Sequence, residues 1–534
     1  MMRTALCFAL LGLLLASCGD DEKPSTPSGD TAAPARVIDL TPHYAGGSAV
    51  MLSWTAPGDD GFDGQAARYD IRYSQTTIIG AGWDTATVVS SVPTPGAAGQ
   101  RDSLTVMDLA NGEWFFALKA ADEVPNWSEM SVPVSVTVAD TVPPGAVTDL
   151  AAISASFTSV RLRWTTPGND GALGRAAEHD LRYALAPITA ETWDDAAPVE
   201  GLPRPALPGT LRFFRVPGLA PASGQFFALR TADDAGNWSW LSNVIERSTL
   251  TITISQLTFS PWEVGVMSTP RWSPNGQTLM ALADWQTIAH YDLYLIPAAG
   301  GAPVELPIDT QLGYCDSPCW SPDGTRIAFV SERVLNQDEI FIMAATPGAP
   351  AIQITQFGSR QLHDLAWSPD GTRIACTVVG GDSPDNATYE IKTVSAAGGP
   401  LISLAGGDPG RAPAWSPDGT RIAFSSSRGR NSEIYVVPAQ GGEATQLTDD
   451  PAWDGSPSWS PDGTEIAFSS TRSGGGDVYV MSADGRGPTR LTSDPAPEWY
   501  VSWAPADSRI AFVRDWSPRI SDIYVLTGQE AARP

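Results

Sequence analysis

Apolar and polar residues alternate in short runs along almost the whole chain. LRFFRV at 211–216 and TRIAFS at 420–425 carry the two-residue period of half-buried strands. No segment beyond the N-terminus sustains the 3.6-residue period of an amphipathic helix. The runs are bounded by turn formers, 45 prolines and 50 glycines in all, with only 17% charged residues. That combination predicts an all-β protein. A chain of 534 residues exceeds what one core supports and divides into about three domains.

The first half repeats itself. Residues 35–140 align with 144–248: Trp54-Thr55-Ala56-Pro57-Gly58 matches Trp164-Thr165-Thr166-Pro167-Gly168 at an offset of 110. Tyr69-Asp70-Ile71-Arg72-Tyr73 matches His179-Asp180-Leu181-Arg182-Tyr183, and Asn126-Trp127-Ser128 matches Asn237-Trp238-Ser239. A proline-rich joint, Thr141-Val142-Pro143-Pro144, separates the copies. Both resemble fibronectin type III domains, which implies tandem β-sandwiches with Trp54 and Tyr73 facing the inter-sheet core. Phe115 and Phe226 stand where that family carries its corner tyrosine.

Two features of the copies bear on chemistry. Asp59, Asp60 and Asp63 lie close enough to form a weak candidate calcium loop, but full EF-hand spacing is absent and the second copy reads Asn169, Asp170, Leu173. A polar turn between strands is the favoured reading. Trp83 and Trp193 recur at one loop position and could stack on sugars or peptides, although duplication at one fold position points to packing.

From residue 255 a different repeat takes over. Trp320-Ser321-Pro322-Asp323-Gly324 recurs unchanged at Trp367, Trp415 and Trp459, with WSPNG at Trp272 and WAPAD at Trp503. The tryptophans are 48, 47, 48, 44 and 44 residues apart, a period of four-stranded blades. Each copy reads as an inner strand ending at tryptophan, a Pro-Asp-Gly turn, a TRIAF-type strand, and an acid opening a third strand (Asp292, Glu339, Glu390, Glu433, Asp477, Asp522). A fourth strand ends in Leu-Thr. The last copy lacks its fourth strand, while a spare Gln256-Leu257-Thr258 precedes the first tryptophan. Residues 254–259 are therefore expected to complete the sixth blade and close the ring. The pattern resembles the TolB-type (WD40-like PD40) propeller repeat over about 275 residues. The expected fold is thus two sandwiches (35–140, 144–248) followed by a six-bladed propeller (253–528).

An acid present in every blade cannot mark one site, and its expected partner is the TRI arginine or a turn amide. Residues that differ between blades are better binding candidates. Just before the tryptophans, at the expected axial rim, stand Asp316, His363, Asp364, Arg411, Asp454, Glu498, Trp499 and Tyr500. Of the cysteines, Cys376 takes a core position of its strand, while Cys315 and Cys319 are a candidate disulfide. No metal or other cofactor is expected.

The N-terminus sets the compartment. Arg3 precedes an apolar run, Thr4 to Ser17, that rises about 21 Å as a helix, too short for a bilayer core of about 30 Å. Leu15-Ala16-Ser17-Cys18 resembles the bacterial lipobox, which implies a cleaved signal peptide (1–18), lipidation of Cys18 and anchoring by lipid alone. Residues 19–34 lack any apolar side chain larger than alanine and read as a flexible tether. The expected location is the cell envelope, with Gly19 favouring the outer membrane. A net charge of −27 disfavours nucleic acid as a partner. No GxSxG, HExxH, Walker A or dinucleotide motif occurs. The expectation is a non-enzymatic binding or scaffold protein for an envelope protein, a peptide or a glycan. Glycan binding or processing, and a purely structural role, are the alternatives.

Overall fold

The computed structural model describes residues 31–530 except 260–265, 267, 284–291, 309–314, 335–336, 358–361, 381–387, 405–408, 430 and 518–519. The expected signal peptide, Cys18 and most of the tether lie outside the described residues. The chain divides into two compact units, Met1–Val142 and Pro143–Pro534.

In the first unit, Thr41–Gly46, Ala49–Thr55 and Arg101–Val106 form one sheet; Thr87–Val88, Arg68–Ser74, Gly112–Ala121 and Val134–Val138 form the other. Trp54 is fully buried between them and meets Tyr69 edge-on at 5.2 Å. Tyr73 is only partly buried and packs on Trp114 at 5.6 Å. The repeated Asn-Trp-Ser is a device for finishing a strand without a partner. Ser128 and Ser131 hydroxyls accept the Ala120 and Leu118 amides, each at 3.0 Å, where a ladder bond would otherwise be needed. Ser239 and Ser242 do the same for Thr231 and Leu229.

The second unit contains the second sandwich, built from the same two sheets, and six four-stranded blades. Blade 1 is Arg271–Trp272, Thr278–Ala283, Asp292–Pro297 and Val304–Glu305. Blades 2 to 5 begin at Cys315, Leu362, Arg411 and Asp454. Blade 6 is Glu498–Trp503, Ile510–Ser517 and Ile520–Gln529, completed by Thr251–Gln256 from the start of the domain. The closing strand lies three residues earlier than its expected span. Thr251 pairs with Gln529, and the spare Leu-Thr serves as the end of the strand, with the Thr258 hydroxyl on Asp522 at 2.9 Å.

The repeat owes its constancy to contacts between turns and between blades. In the Ser-Pro-Asp-Gly turn, the Ser321 hydroxyl and the Thr325 amide and hydroxyl all donate to Asp323. Those bonds hold its carboxyl down at about 2, led by Ser321. The TRI arginine does not pair with the repeated acid. It lies over the tryptophan of the following blade: Arg326 on Trp367 at 4.9 Å, Arg373 on Trp415 at 4.7 Å, Arg421 on Trp459 at 4.6 Å. Arg509 of blade 6 covers Trp272 of blade 1 at 4.6 Å, and the Trp272 indole donates to the Ser502 carbonyl at 3.0 Å, so the ring is closed. The repeated acid is held by the Leu-Thr threonine and, as the other expected partner, by a turn amide: Phe357 donates to Glu339 at 2.7 Å and Asp450 to Glu433 at 3.2 Å. Thr355 donates to Glu339 at 2.5 Å and Thr448 to Glu433 at 2.6 Å, while each hydroxyl accepts the amide that follows the acid. An acid at the start of the third strand thus ties that strand to the fourth, which is only two residues long in these blades.

Blade 5 departs from this script, with Glu465 where its neighbours carry arginine. There the second sandwich docks. Phe157, fully buried, approaches Trp503 at 6.5 Å and packs with Leu250 and Leu526, filling the space an arginine takes elsewhere. Glu465 accepts the Ser156 hydroxyl at 2.7 Å. Arg215 pairs with Asp462 and Arg247 with Glu530, each at 2.6 Å. Gly487 and Gly218 pass so closely that a Cβ on Gly487 would fall 2.8 Å from the Gly218 Cα. Only Thr249 and Leu250 link the last sandwich strand, Ile245–Ser248, to the closing strand of the ring.

Candidate functional site

The inner strands of blades 2 to 6 are each broken by one local irregularity. Three residues before the tryptophan, Ser317, Asp364, Ala412, Ser456 and Tyr500 all take φ between +51° and +57°, although none is glycine. The pairing register shifts at the same place in blades 2 to 6. Five left-handed residues at one position cost about 1–3 kcal/mol each. What they gain is a turn of the strand that presents two consecutive side chains at the ring's axis. Part of the cost is offset by hydrogen bonds from blade to blade. The Asp364 amide donates to the Ser317 hydroxyl at 2.8 Å, and the Ala412 amide donates to Asp364 at 3.1 Å.

Those two positions build a cavity of about 270 Å³ at one end of the axis. Of the expected rim, Asp316, His363, Asp364, Arg411 and Tyr500 line it together; Arg271 and Tyr389 line it as well, and the sequence pattern missed both. Arg271 directly precedes a tryptophan, where the other blades carry small or thiol side chains, so its singularity among the repeats was the available signal. Tyr389 lies on a third strand, beyond the inner-strand window. Asp316 accepts from His363 Nδ1 at 3.0 Å and from the Ser317 amide at 2.7 Å. The Asp316 bond, against some desolvation, raises the His363 pKa above its usual value. Asp364 accepts the Thr377 hydroxyl at 3.0 Å besides the Ala412 amide. The Arg411 guanidinium lies over the Tyr389 ring at 3.4 Å. Burial, then Asp364 and its acidic neighbours, push the Tyr500 hydroxyl up.

Three expected rim residues are elsewhere. Asp454 and Glu498 stand five residues before their tryptophans, a position buried in blades 2 to 6. Asp454 binds Arg472 and Glu498 binds Arg514, each at 2.6 Å, with both carboxylates fully buried. These are ion pairs inside the blades, and desolvation holds both acids above the usual carboxylate range. Arg514 lies within the second strand of blade 6 and Arg472 just after that of blade 5. Trp499 packs edge-on against Trp453 at 5.3 Å and does not line the cavity.

The remaining candidates resolve as packing. Cys315 and Cys319 are free thiols, not a disulfide. The register shift between them sends Cys315 into the core shared with blade 1 and Cys319 into the core shared with blade 3. Burial raises Cys319 and Cys376 to about 12, so all three thiols sit in apolar surroundings that disfavour thiolate. Trp83 is buried between Arg72 and Lys119 (4.7 and 4.6 Å), and Trp193 between Arg182 and Arg230 (4.9 and 4.6 Å). Neither indole face is free to stack on a ligand. Asp59, Asp60 and Asp63 form a tight turn through the Asp59 and Asp60 amides on the Asp63 carbonyl, with Asp60 and Asp63 exposed.

Residues 362–529 match the family described as the TolB beta propeller domain. The ring is a β-propeller, and the match covers the larger part of it. In fold it is similar to putative TolB from Agrobacterium tumefaciens, at 21% identity and a TM-score of 0.39, covering 52% of this chain and 98% of that one. Among curated proteins, the chain is 45% identical over 56 residues to human calcium-activated chloride channel regulator 1, covering 10% of this chain and 6% of that protein. It is 25% identical over 237 residues to exoglucanase B of Cellulomonas fimi, covering 42% of this chain and 18% of that protein. The chain thus spans less than a fifth of the length of either curated relative. No helix among the described residues is long and apolar enough to cross a membrane.

Proposed function

We propose that the chain is a lipid-tethered cell-envelope binding protein. Its propeller takes a protein or peptide segment at the axial mouth, and its sandwiches, read as fibronectin type III-like modules, serve as spacers. The observation that carries this reading is the cavity itself. On a frame whose other positions repeat from blade to blade, the residues at its wall differ in every blade: Asp316, His363 with Asp364, Arg411, Tyr500. A ring built for stability alone has no reason to spend five left-handed residues on a varied mouth. Cys18 supplies the tether in this reading. In this reading the chain acts by binding rather than turnover, and the His363–Asp316 pair, tied down by the Ser317 amide, shapes the mouth.

The test is a photo-crosslinking residue at Tyr500, compared with the same residue at exposed Trp240 of the second sandwich, in native envelopes. A stoichiometric partner captured only from position 500, and lost in Arg411→Ala, is expected. Identical capture from both positions, or turnover of an envelope polymer abolished by His363→Ala, would overturn the reading.

A glycan-binding or glycan-processing role draws support from Trp453, 37% exposed, beside Trp499 and next to Tyr500. A glycan array with Trp499→Ala as the control separates the two readings.

A further inference from the structure

The charges around the mouth are not balanced in their bonding. Both carboxylates are engaged from within: Asp316 by His363 and the Ser317 amide, Asp364 by the Thr377 hydroxyl and the Ala412 amide. The two guanidiniums are not. Among the described residues neither Arg271 nor Arg411 makes an ion pair, and the only hydrogen bond from the Arg271 side chain goes to the Leu365 carbonyl at 3.4 Å. A guanidinium has five N–H donors, and burial without partners is costly. Arg271 lines both the mouth cavity and the cavity behind the tryptophans on the opposite face, so it stands in the axial channel between them. Desolvation lowers its pKa, against the pull of Cys319 and Asp364. Arg411 rests one face on Tyr389, which leaves its N–H edge free for a planar, bidentate acceptor. Arg271 belongs to blade 1 and Arg411 to blade 4, opposite members of a ring of six.

We propose that the axial mouth is a carboxylate site, in which Arg271 at the floor and Arg411 at the wall take the terminal or side-chain carboxylate of a peptide end. This rests on the peptide-binding reading above and names the chemistry that reading lacks. The cavity's volume, about 270 Å³, lies at the small end of ligand clefts (roughly 300–1,000 Å³), which suits a chain end rather than a folded domain. The engaged Asp316 and Asp364 shape the site, and Tyr500 lines it. A protein of net charge −27 in which, among the described residues, two arginines around one cavity make no salt-bridge contact has room there for an external anion.

The experiment has two arms. In the first, a fluorescent peptide library with free C-termini is selected on the full chain, and the enriched peptide is measured by anisotropy. Wild type is compared with Arg271→Gln, Arg271→Lys, Arg411→Gln and the distant control Arg204→Gln. Enriched peptides are expected to carry an end carboxylate or a terminal Asp or Glu. Affinity should fall about 10- to 100-fold in Arg271→Gln, the range for a lost charge-assisted bond, and less in Arg411→Gln. Amidating a C-terminal carboxylate, or replacing an acidic side chain by its amide, tells the two carboxylate sources apart. Arg271→Lys keeps the charge and serves if the glutamine variant does not fold. In the second arm glutarate alone is titrated by thermal shift.

Enriched peptides that bind Arg271→Gln and Arg271→Lys as they bind wild type overturn the carboxylate site and leave the peptide reading intact. Glutarate protection that vanishes in Arg271→Gln, with no peptide enriched, keeps the anion site and sinks the peptide reading. Preference for galacturonate oligomers over every peptide sinks the peptide assignment in favour of an acidic glycan.

Discussion

The two sandwiches share a topology, a buried tryptophan and the serine devices that finish their strands, yet they differ in a few residues that decide what each one touches. Aligned on Trp54 and Trp164, Phe157 of the second copy falls opposite Gly47 of the first, and Arg215 opposite Thr105. Phe157 and Arg215 are among the residues that meet the propeller, on Trp503 and Asp462. On the receiving side the repeat breaks as well, at Glu465 among the TRI arginines. In a protein built from repeats, the positions that keep the pattern report on folding. Those that leave it report on contacts.

The largest expected effect breaks this difference directly. Phe157→Ala removes a fully buried aromatic from the junction and should cost about 3–5 kcal/mol there. Urea unfolding of the full chain, followed by tryptophan fluorescence, should then show the second sandwich melting ahead of the ring. A loss below about 1 kcal/mol would mean that the ring and sandwich hold together without this contact.

Much of this was legible in the chain and some was not, for reasons that are physical. The blade period, the ring closure and the all-β class follow from the tryptophan spacing and the displaced Gln256-Leu257-Thr258. The mouth was half legible. In blades 2, 3, 4 and 6 a residue three or four before the tryptophan does line the cavity, but Asp454 and Glu498 stand one residue further back. In a strand, one residue is a change of face. The left-handed bulge was invisible because Ser317, Asp364, Ala412, Ser456 and Tyr500 are not residue types that announce a positive φ as a set. The junction was missed because Phe157 reads as one more strand-edge aromatic until a second domain covers it.

A smaller effect sharpens the receiving side. Burial, against the pull of Arg215, raises the Glu465 pKa above its ordinary 4.5. For an acid whose folded pKa is raised, the associated stability is full below 4.5 and is lost as pH climbs through the raised value. The junction of the wild type should therefore weaken between pH 4.5 and neutrality. Glu465→Gln keeps an acceptor for Ser156 and should flatten that slope, with a gain on the order of 1 kcal/mol at pH 7.5. Parallel pH profiles for the two proteins would show that Arg215 already compensates the charge.

The smallest effect turns to the first copy. In the second sandwich Asn169, fully buried, donates its amide to Asp234 at 2.8 Å and accepts the Asp234 backbone amide at 3.3 Å. The same place in the first sandwich holds Asp59 against Glu123, so an amide–carboxylate bond is replaced by two acids that interact as like charges and through a side-chain hydrogen bond. Desolvation and then Glu123 raise the Asp59 pKa above its ordinary 3.8. Stability tied to this group is present below 3.8 and lost as pH rises, so at neutral pH the first copy carries a repulsion that the second does not. Asp59→Asn copies the second sandwich into the first. It should raise the melting temperature of the first unit by roughly a few degrees at pH 7 and by less at pH 4. The same variant decides the calcium question. If added Ca²⁺ stabilises the wild type and Asp59→Asn abolishes that gain, the repulsion exists to hold a cation and the turn of Asp59, Asp60 and Asp63 is a site. If Ca²⁺ changes neither protein while the variant gains stability without it, the acids are an unfavourable pair that the second copy has replaced.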